Sequence, residues 1–275
     1  MRTSDWLKNT EIMLKSHDVP TARLDALVLL EDQLNTNRAH LLAHPEIKLT
    51  PVQITVLDEM LARRAAHVPL AYIRGKTEFY GRDFTVNEHV LEPRPESETM
   101  ITLLKQLSLK QQVKLADIGS GSGALGITAA LELGLDTVYL HDIDPKTLEV
   151  AKKNAEMHNV RVVLLQDNLI NNYNADYEIL LCNLPYVPDS FHINTAATHE
   201  PKIAIFGGPD GLDLYREMFV QIANLPFKPR YILTESLPPQ HEELAHIAAD
   251  AGYQLLQSED FIQVFSPDRS AQSRV

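Results

Sequence analysis

Cysteine is nearly absent from this chain: Cys182 is the only one, so no disulfide framework can form within it. It sits inside an apolar run and is read as a small core residue rather than a nucleophile. No apolar stretch reaches the roughly 18 residues that a membrane helix needs, and no signal peptide opens the chain. The expectation is neither export nor membrane insertion, and a cytoplasmic address. Glycine does not occur before Gly75, which suits a compact helical bundle over a loop-rich domain. Basic residues are in the minority, with 25 Lys and Arg against 37 Asp and Glu. The net charge of −12 and a pI near 5.3 argue against a broad basic surface for nucleic acid, though they leave room for a local basic groove. Internal repeats and low-complexity tracts are also missing.

At 275 residues and 44% hydrophobic content, the chain can bury the core of one large domain plus a smaller one. The first 75 or so residues read as helices. Thr50-Pro51 opens one, with a cap, a proline at the first position and Gln53 in the capping-box place. Ile54, Leu57 and Leu61 continue it at helical spacing, and Leu27, Leu30 and Leu34 mark one face of an earlier helix. A hairpin-like stretch runs from Glu78 to Val86. From about residue 93 strands and helices alternate, which implies a mostly parallel sheet. Its later strands are expected at 230–234, 253–257 and 261–265.

Two motifs carry chemistry. In EILLCNLPY, residues 178–186, an apolar strand ends abruptly in Asn183-Leu184-Pro185-Tyr186. That tip offers a side-chain amide, a main-chain carbonyl outside any ladder, a rigid proline and an aromatic ring. Such a set can grip a flat, neutral NH2 group, although a plain strand followed by a proline turn has the same letters. Upstream, VKLADIGSGSGALGI runs an apolar strand into Asp117, and Gly119, Ser120, Gly121, Ser122 and Gly123 precede a helix starting near Ala124. Glycines at that spacing permit a tight turn and let a ligand approach the backbone, with a helix N-terminus behind it. The next strand ends at Asp142, about twenty residues on, where a carboxylate can accept from both ribose hydroxyls. Asp144-Pro145 then caps a helix whose buried face is Leu148, Ala151 and Ala155. A third strand ends in Gln166-Asp167-Asn168, where an adenine edge would sit, although Asp167 reads equally well as a turn residue.

Dinucleotides and S-adenosylmethionine both remain compatible with a strand, glycine turn and acidic strand end. The spacing G-S-G-S-G brings the third glycine one residue earlier than the dinucleotide pattern G-x-G-x-x-G. That favours the compact methionine end of S-adenosylmethionine over a pyrophosphate. All four polar clusters fall at carboxyl ends of strands, where open α/β sheets gather ligands.

With those residues in view, the chain resembles the HemK-type protein-glutamine N5-methyltransferases, whose best-known members modify bacterial peptide-chain release factors. The resemblance spans nearly the whole length. The segment HVPLAYIRGKTEFYGRDFTVNEHVLEPRPESE is similar to the family's P-x-x-Y-I-x-G, E-F-x-G and V-L-x-P-R-P-E-T-E pattern, and HEPKIAIFGGPDGLDLYR, residues 199–216, to its E-P-x-x-A-L-x-G-G-x-D-G-L segment. It implies a helical substrate-docking domain over 1–75 and a β-hairpin connector over 76–92. A seven-stranded, Rossmann-like α/β methyltransferase domain of class I, dependent on S-adenosylmethionine, would follow over 93–275. It further implies that the turn Gly119–Gly123 and Asp117 hold the methionine part of the cofactor. Asp142 would bind the ribose, and Asp167 and Asn168 would lie beside the adenine. Asn183 and the carbonyl of Leu184 would accept from the substrate amide, with Pro185 shaping the loop and Tyr186 packing on the substrate side chain. The partner implied is a release factor; no metal is expected, nucleic acid is disfavoured, and a monomer is adequate.

Two departures stand out. The family writes N-P-P-Y, whereas Leu184 takes the second position; the contact implied there is a main-chain oxygen, which leucine also has. Pro185 still biases Leu184 toward an extended backbone. In Thr234-Glu235-Ser236-Leu237 the family has Glu, an aliphatic residue and glycine, and Gln240 keeps its expected distance. Other candidates are weaker. His241 and His246 are five apart, off a shared helical face, unlike a zinc-protease motif. His141 and His199 read as structural, and Arg94 reads as a substrate contact, a hinge or a salt bridge. Three functions remain open: a protein-glutamine methyltransferase (on a release factor or a ribosomal protein), a nucleic-acid amine methyltransferase, and a cofactor-binding homologue without catalysis.

Overall fold

The computed structural model describes residues 1–109, 112–171 and 176–268. The chain separates into two units, Met1–Lys76 with Ile193–His199, and Thr77–His192 with Glu200 onward. The expected end of the chain, 269–275, lies outside the described residues.

The first unit is helical: α1 (Thr3–Ser16), α2 (Ala22–Leu34), α3 (Arg38–Ala43), α4 (Pro51–Ala65) and α5 (Leu70–Arg74). The capping box forms as the residues suggest, with the Gln53 N–H donating to Thr50 Oγ1 at 3.3 Å and the Thr50 N–H to Gln53 Oε1 at 2.9 Å. Leu27 and Leu30 join Trp6, Leu29, Leu57 and Ile73 in one apolar core. Within it, Arg64 Nε meets Asp25 Oδ2 at 2.6 Å, both nearly buried. An unpaired charge at that depth would be costly, and the pair fixes how α2 meets α4.

The second unit begins with a hairpin, β1 (Lys76–Phe79) and β2 (Arg82–Thr85). Tyr80 and Gly81 both take positive φ, the turn that matches strand twist in a two-residue loop. There follow α6 (Glu98–Gln106), β3 (Leu115–Ile118), α7 (Ala124–Leu133), β4 (Val138–Asp142), α8 (Pro145–Met157), β5 (Val162–Gln166), β6 (Ile179–Cys182), α9 (Asp213–Ala223), β7 (Tyr231–Glu235), α10 (His241–Asp250), β8 (Tyr253–Glu259) and β9 (Ile262–Pro267). Seven of these strands form one sheet in the order β5-β4-β3-β6-β7-β9-β8. The pairings from β5 through β7 are parallel, and β9 runs antiparallel to both β7 and β8.

The sheet is covered on both faces, and the period of two sorts its residues. Leu115, Ile179, Leu181 and Leu233 join α6, α7 and α8 in one core. Ala116, Ile118, Leu180, Cys182 and Ile232 join α9 and α10 in the other. Cys182 is fully buried there, as a core residue. The strand order reverses at β3, whose neighbours are β4 and β6. Ile118 is level with His141 on one side and Cys182 on the other, so the chain leaves three adjacent strands at one height. That switch point is where α/β sheets open a crevice. No helix among the described residues is long and apolar enough to cross a membrane.

Candidate active site

The glycine-rich turn is held in place by backbone bonds and two carboxylates. The Ser120 N–H donates to the His141 carbonyl at 2.8 Å, bending the turn over the end of β4. The Gly121 N–H donates to Asp142 Oδ2 at 3.0 Å. Asp117 Oδ2 accepts the Gly126 N–H at 2.8 Å and so anchors the first turn of α7. Burial pushes the Asp117 carboxyl up to about 7, and Asp142, buried by the same turn, is raised by the same cause. Gly119, Ser120, Gly121 and Ser122 line a cleft with about 1190 Å³ of empty space, open to solvent. Gly123 does not line it. It stands behind the turn against Ile127, Ala151 and Leu140, where a Cβ would be crowded.

Asp142 lines the next wall of the cleft, with Ile143, Asp167 and Asn168. The Asp167 N–H donates to the Asp142 carbonyl at 3.0 Å, which ties the ends of β4 and β5 together. Asn168 donates to Glu217 Oε1 at 2.7 Å, so its amide is already partly committed. His141 is structural: it is buried, lies 2.8 Å from the Tyr177 hydroxyl, and is pushed down to about 4 by burial. His199 belongs to the helical unit, its Nε2 at 3.1 Å from the Ala66 carbonyl. Arg94 lines the cleft and pairs with the buried Glu200.

Asn183, Leu184 and Pro185 close the cleft at the mouth of β6. Asn183 Nδ2 donates to Ser97 Oγ at 3.0 Å, and its Oδ1 accepts no hydrogen bond among the described residues. The Leu184 side chain is 2% exposed and packs against Gly119, where a Cβ would come within 3.0 Å of Leu184 Cδ2. The leucine that stands where the family writes proline thus fills space against the glycine-rich turn. Its N–H donates to the Tyr215 hydroxyl at 3.3 Å, and its carbonyl is unbonded among the described residues. Tyr186 does not line the cleft; its hydroxyl donates to Glu235 Oε1 at 3.0 Å.

Several residues that shape the site carry no motif of their own. Asn154 on α8 is fully buried and bonds both Thr85 backbone groups and the Ser122 carbonyl, at 2.7, 3.0 and 2.8 Å. The hairpin is thereby tied to the glycine-rich turn. Gln240 Nε2 donates to the Tyr186 carbonyl at 2.8 Å and to the Asp210 carbonyl at 2.7 Å. The segment around Phe206 runs against the NLPY loop, with the Val187 N–H on the Ile205 carbonyl and the Gly207 N–H on the Val187 carbonyl. A Cβ on Gly207 would sit 2.2 Å from the Pro185 carbonyl oxygen, so only glycine lets the two segments meet. The G-G-x-D-G run was the signal, but its partner could not be read from it.

The family model of the PrmC N-terminal domain matches residues 5–75, and that of the methyltransferase small domain matches residues 97–201. A release factor glutamine methyltransferase from Bacillus anthracis is 34% identical over 234 residues, covering 82% of this chain and 83% of that protein. One from Moorella thermoacetica is 37% identical over 218 residues, covering 77% of each. Among solved structures, the hMettl16 catalytic domain in complex with a MAT2A 3'UTR hairpin shares the fold at 14% identity. Its TM-score is 0.54, with 79% of this chain and 82% of that one covered. Identity at this level over most of both lengths decides the kinship. The chain belongs to the release factor glutamine methyltransferase family.

Proposed function

We infer that this chain transfers the methyl group of S-adenosylmethionine to the side-chain amide nitrogen, N5, of a glutamine in a peptide-chain release factor, on its Gly-Gly-Gln loop. The observation that carries this reading is a pair of unspent acceptors, Asn183 Oδ1 and the Leu184 carbonyl, at the mouth of the cleft that Asp142 and the glycine-rich turn also line. The cleft fits the cofactor on the chain's own terms. Ser120 Oγ is buried with no partner at the turn, and a Cβ on Gly121 would meet nothing within 4 Å, so this stretch has room and an unused polar atom for a ligand. Asp142 would hold the ribose, the turn the methionine end, and Asp167 and Asn168 the adenine edge.

Bound there, S-adenosylmethionine supplies a methyl group made electrophilic by its sulfonium. The residues of the chain solve the other half of the problem. A carboxamide nitrogen is a weak nucleophile because its lone pair is delocalised into the carbonyl. Asn183 Oδ1 and the Leu184 carbonyl would take its two N–H groups and hold the nitrogen facing the methyl. Fixing the approach in this way contributes several kcal/mol. As the nitrogen bonds the methyl carbon it gains positive character, and both acceptors would hold it more strongly than in the ground state, which is where rate is gained. It returns to neutrality by giving up one N–H proton to water. We further propose that the helical unit docks the protein substrate.

Mass spectrometry of release factors co-expressed with the chain tests the reading. One added methyl on the Gly-Gly-Gln glutamine is expected. Label from S-adenosylmethionine appearing instead on nucleic acid or on a ribosomal protein would replace the substrate, and binding without transfer to any of them would make the chain a degenerate homologue.

A further inference from the structure

An acceptor helps the reaction only if it points at the reacting nitrogen, and the Leu184 carbonyl lacks the device that a proline would supply. A proline ring locks φ at about −65°, whereas leucine leaves it free. Two constraints stand in for the ring. The Leu184 side chain is buried in one core with Ile118, Leu212 and Tyr215 and reaches Gly119, which fixes where its Cβ points. The other constraint is a bond that no proline could make: the Leu184 N–H donates to the Tyr215 hydroxyl at 3.3 Å.

Tyr215 lies on α9 and is fully buried. Its hydroxyl also donates to the Cys182 carbonyl at 3.0 Å and to the Glu235 carbonyl. Cys182 and Thr234 are the last paired residues of β6 and β7, so the hydroxyl sits in the fork where the two strands part. A phenol has one hydrogen to give and lone pairs to receive. The two carbonyls draw on the hydrogen, which leaves the lone pairs for Leu184, and the bond cannot reverse because an amide N–H only donates. Burial pushes the phenol well above its usual value, so it keeps its proton. The Leu184 N–H bond fixes the plane of the 183–184 peptide, the buried Cβ then fixes φ, and Pro185 biases ψ toward the extended range. Together these set the direction of the Leu184 carbonyl. Without the hydroxyl, a buried N–H is left unpaired, and the peptide gains by turning toward another acceptor and taking the carbonyl with it.

We propose that the Tyr215 hydroxyl aims the Leu184 carbonyl at the substrate amide, doing with a hydrogen bond what the ring of a proline at 184 would do covalently. Tyr215 is a positioning residue, and this assignment rests on reading the cleft as a glutamine methyltransferase site. It lies 31 residues beyond Leu184, in the 199–216 run, whose letters give no partner for it.

The test compares the parent, Y215F, L184P and the double variant L184P/Y215F, using release factor and labelled S-adenosylmethionine, with each rate normalised to the fraction of protein that binds cofactor. Y215F keeps the ring and removes only the hydroxyl. It is expected to lower kcat by about tenfold to a hundredfold, with KM for the release factor within about threefold. In the L184P background there is no N–H to hold and the ring fixes φ, so adding Y215F should cost less than about threefold. A tyrosine that merely braces the fork through the two carbonyls would cost the same in both backgrounds. A readout independent of turnover is the Leu184 backbone amide in 15N–1H spectra of protein saturated with S-adenosylhomocysteine. In the parent its proton should exchange at least about a hundredfold more slowly than in an open chain, a measurement that needs no variant to fold. In Y215F the same proton should move upfield. Parent-like kcat in Y215F, equal losses in the two backgrounds, an unprotected Leu184 amide in the parent, or an unmoved Leu184 signal in Y215F would each overturn the proposal. A parent that transfers nothing to release factor would instead remove the substrate reading, and the amide signal would still decide whether the hydroxyl holds Leu184.

Discussion

Gly211→Ala should cost about a hundredfold in turnover while leaving cofactor affinity nearly intact, for a reason that can be worked from distances. Gly211 has φ of +81°, and an alanine Cβ there would lie 2.0 Å from the Tyr186 carbonyl oxygen and 2.4 Å from Gln240 Nε2. Real Cβ atoms essentially never approach closer than 3.0 Å. The oxygen is backbone and cannot rotate away, so the NLPY loop has to retreat by about 1 Å, and the Gln240 bond to the same oxygen lengthens with it. A misplacement of about 1 Å in a reacting group can cost about a hundredfold, or about 2.7 kcal/mol. The left-handed backbone adds about 1–2 kcal/mol against the folded state. The nearest atoms to that Cβ belong to Tyr186 and Gln240 and none to the glycine-rich turn, so the affinity for S-adenosylmethionine, read by calorimetry, should stay within about twofold. Single-turnover transfer of labelled methyl to release factor reads the rate. Turnover within about threefold of the parent, or a parallel collapse of cofactor affinity, would refute this account of the buttress.

Asn183→Ala removes one of the two acceptors and should lower kcat by about 10²–10³ while the thermal midpoint moves by no more than about 3 °C; unchanged turnover would sink the role given to it. Asn154→Ala strips three backbone partners in a fully buried place. It should cost about 3–5 kcal/mol in urea unfolding, and a loss below about 1 kcal/mol would mean that the hairpin is not tied to the turn through this residue. His141 carries a pH signature. Burial holds it down at about 4 from an ordinary 6.5, so the unfolded chain binds the extra proton between those values. Stability therefore rises with pH across that window and is lost as pH falls through it. His141→Gln should flatten the slope between pH 4 and 6.5 by up to about 3 kcal/mol, and urea midpoints with the same pH slope as the parent would count against it.

Much of the architecture was legible because it is local. Thr50, Pro51 and Gln53 announce their helix through a cap whose bonds span three residues, and Asp144-Pro145 does the same for α8. The nearly unbroken apolar runs of β3, β6 and β7 follow from a sheet covered on both faces, which a strand carries in its own letters. The site was legible only at strand ends. Leu184 could be read as a lost proline, but not as a side chain filling the space beside Gly119, since that contact joins two strands distant in sequence. Tyr186 could be read as an aromatic near a substrate, but its hydroxyl is drawn out of the cleft to Glu235, a residue on another strand.

By themselves, the residues of this chain determined which segments become helix or strand, and which strand ends carry an amide, a carboxylate or a glycine turn. Those outcomes depend on period, capping and backbone freedom over a few neighbouring positions. Only the tertiary structure decided which of those ends face one cleft and which glycines are required because another backbone passes within van der Waals reach. Such relations are set by strand order and register, and hydrogen bonds and steric contacts act over a few ångströms regardless of how many residues separate the partners.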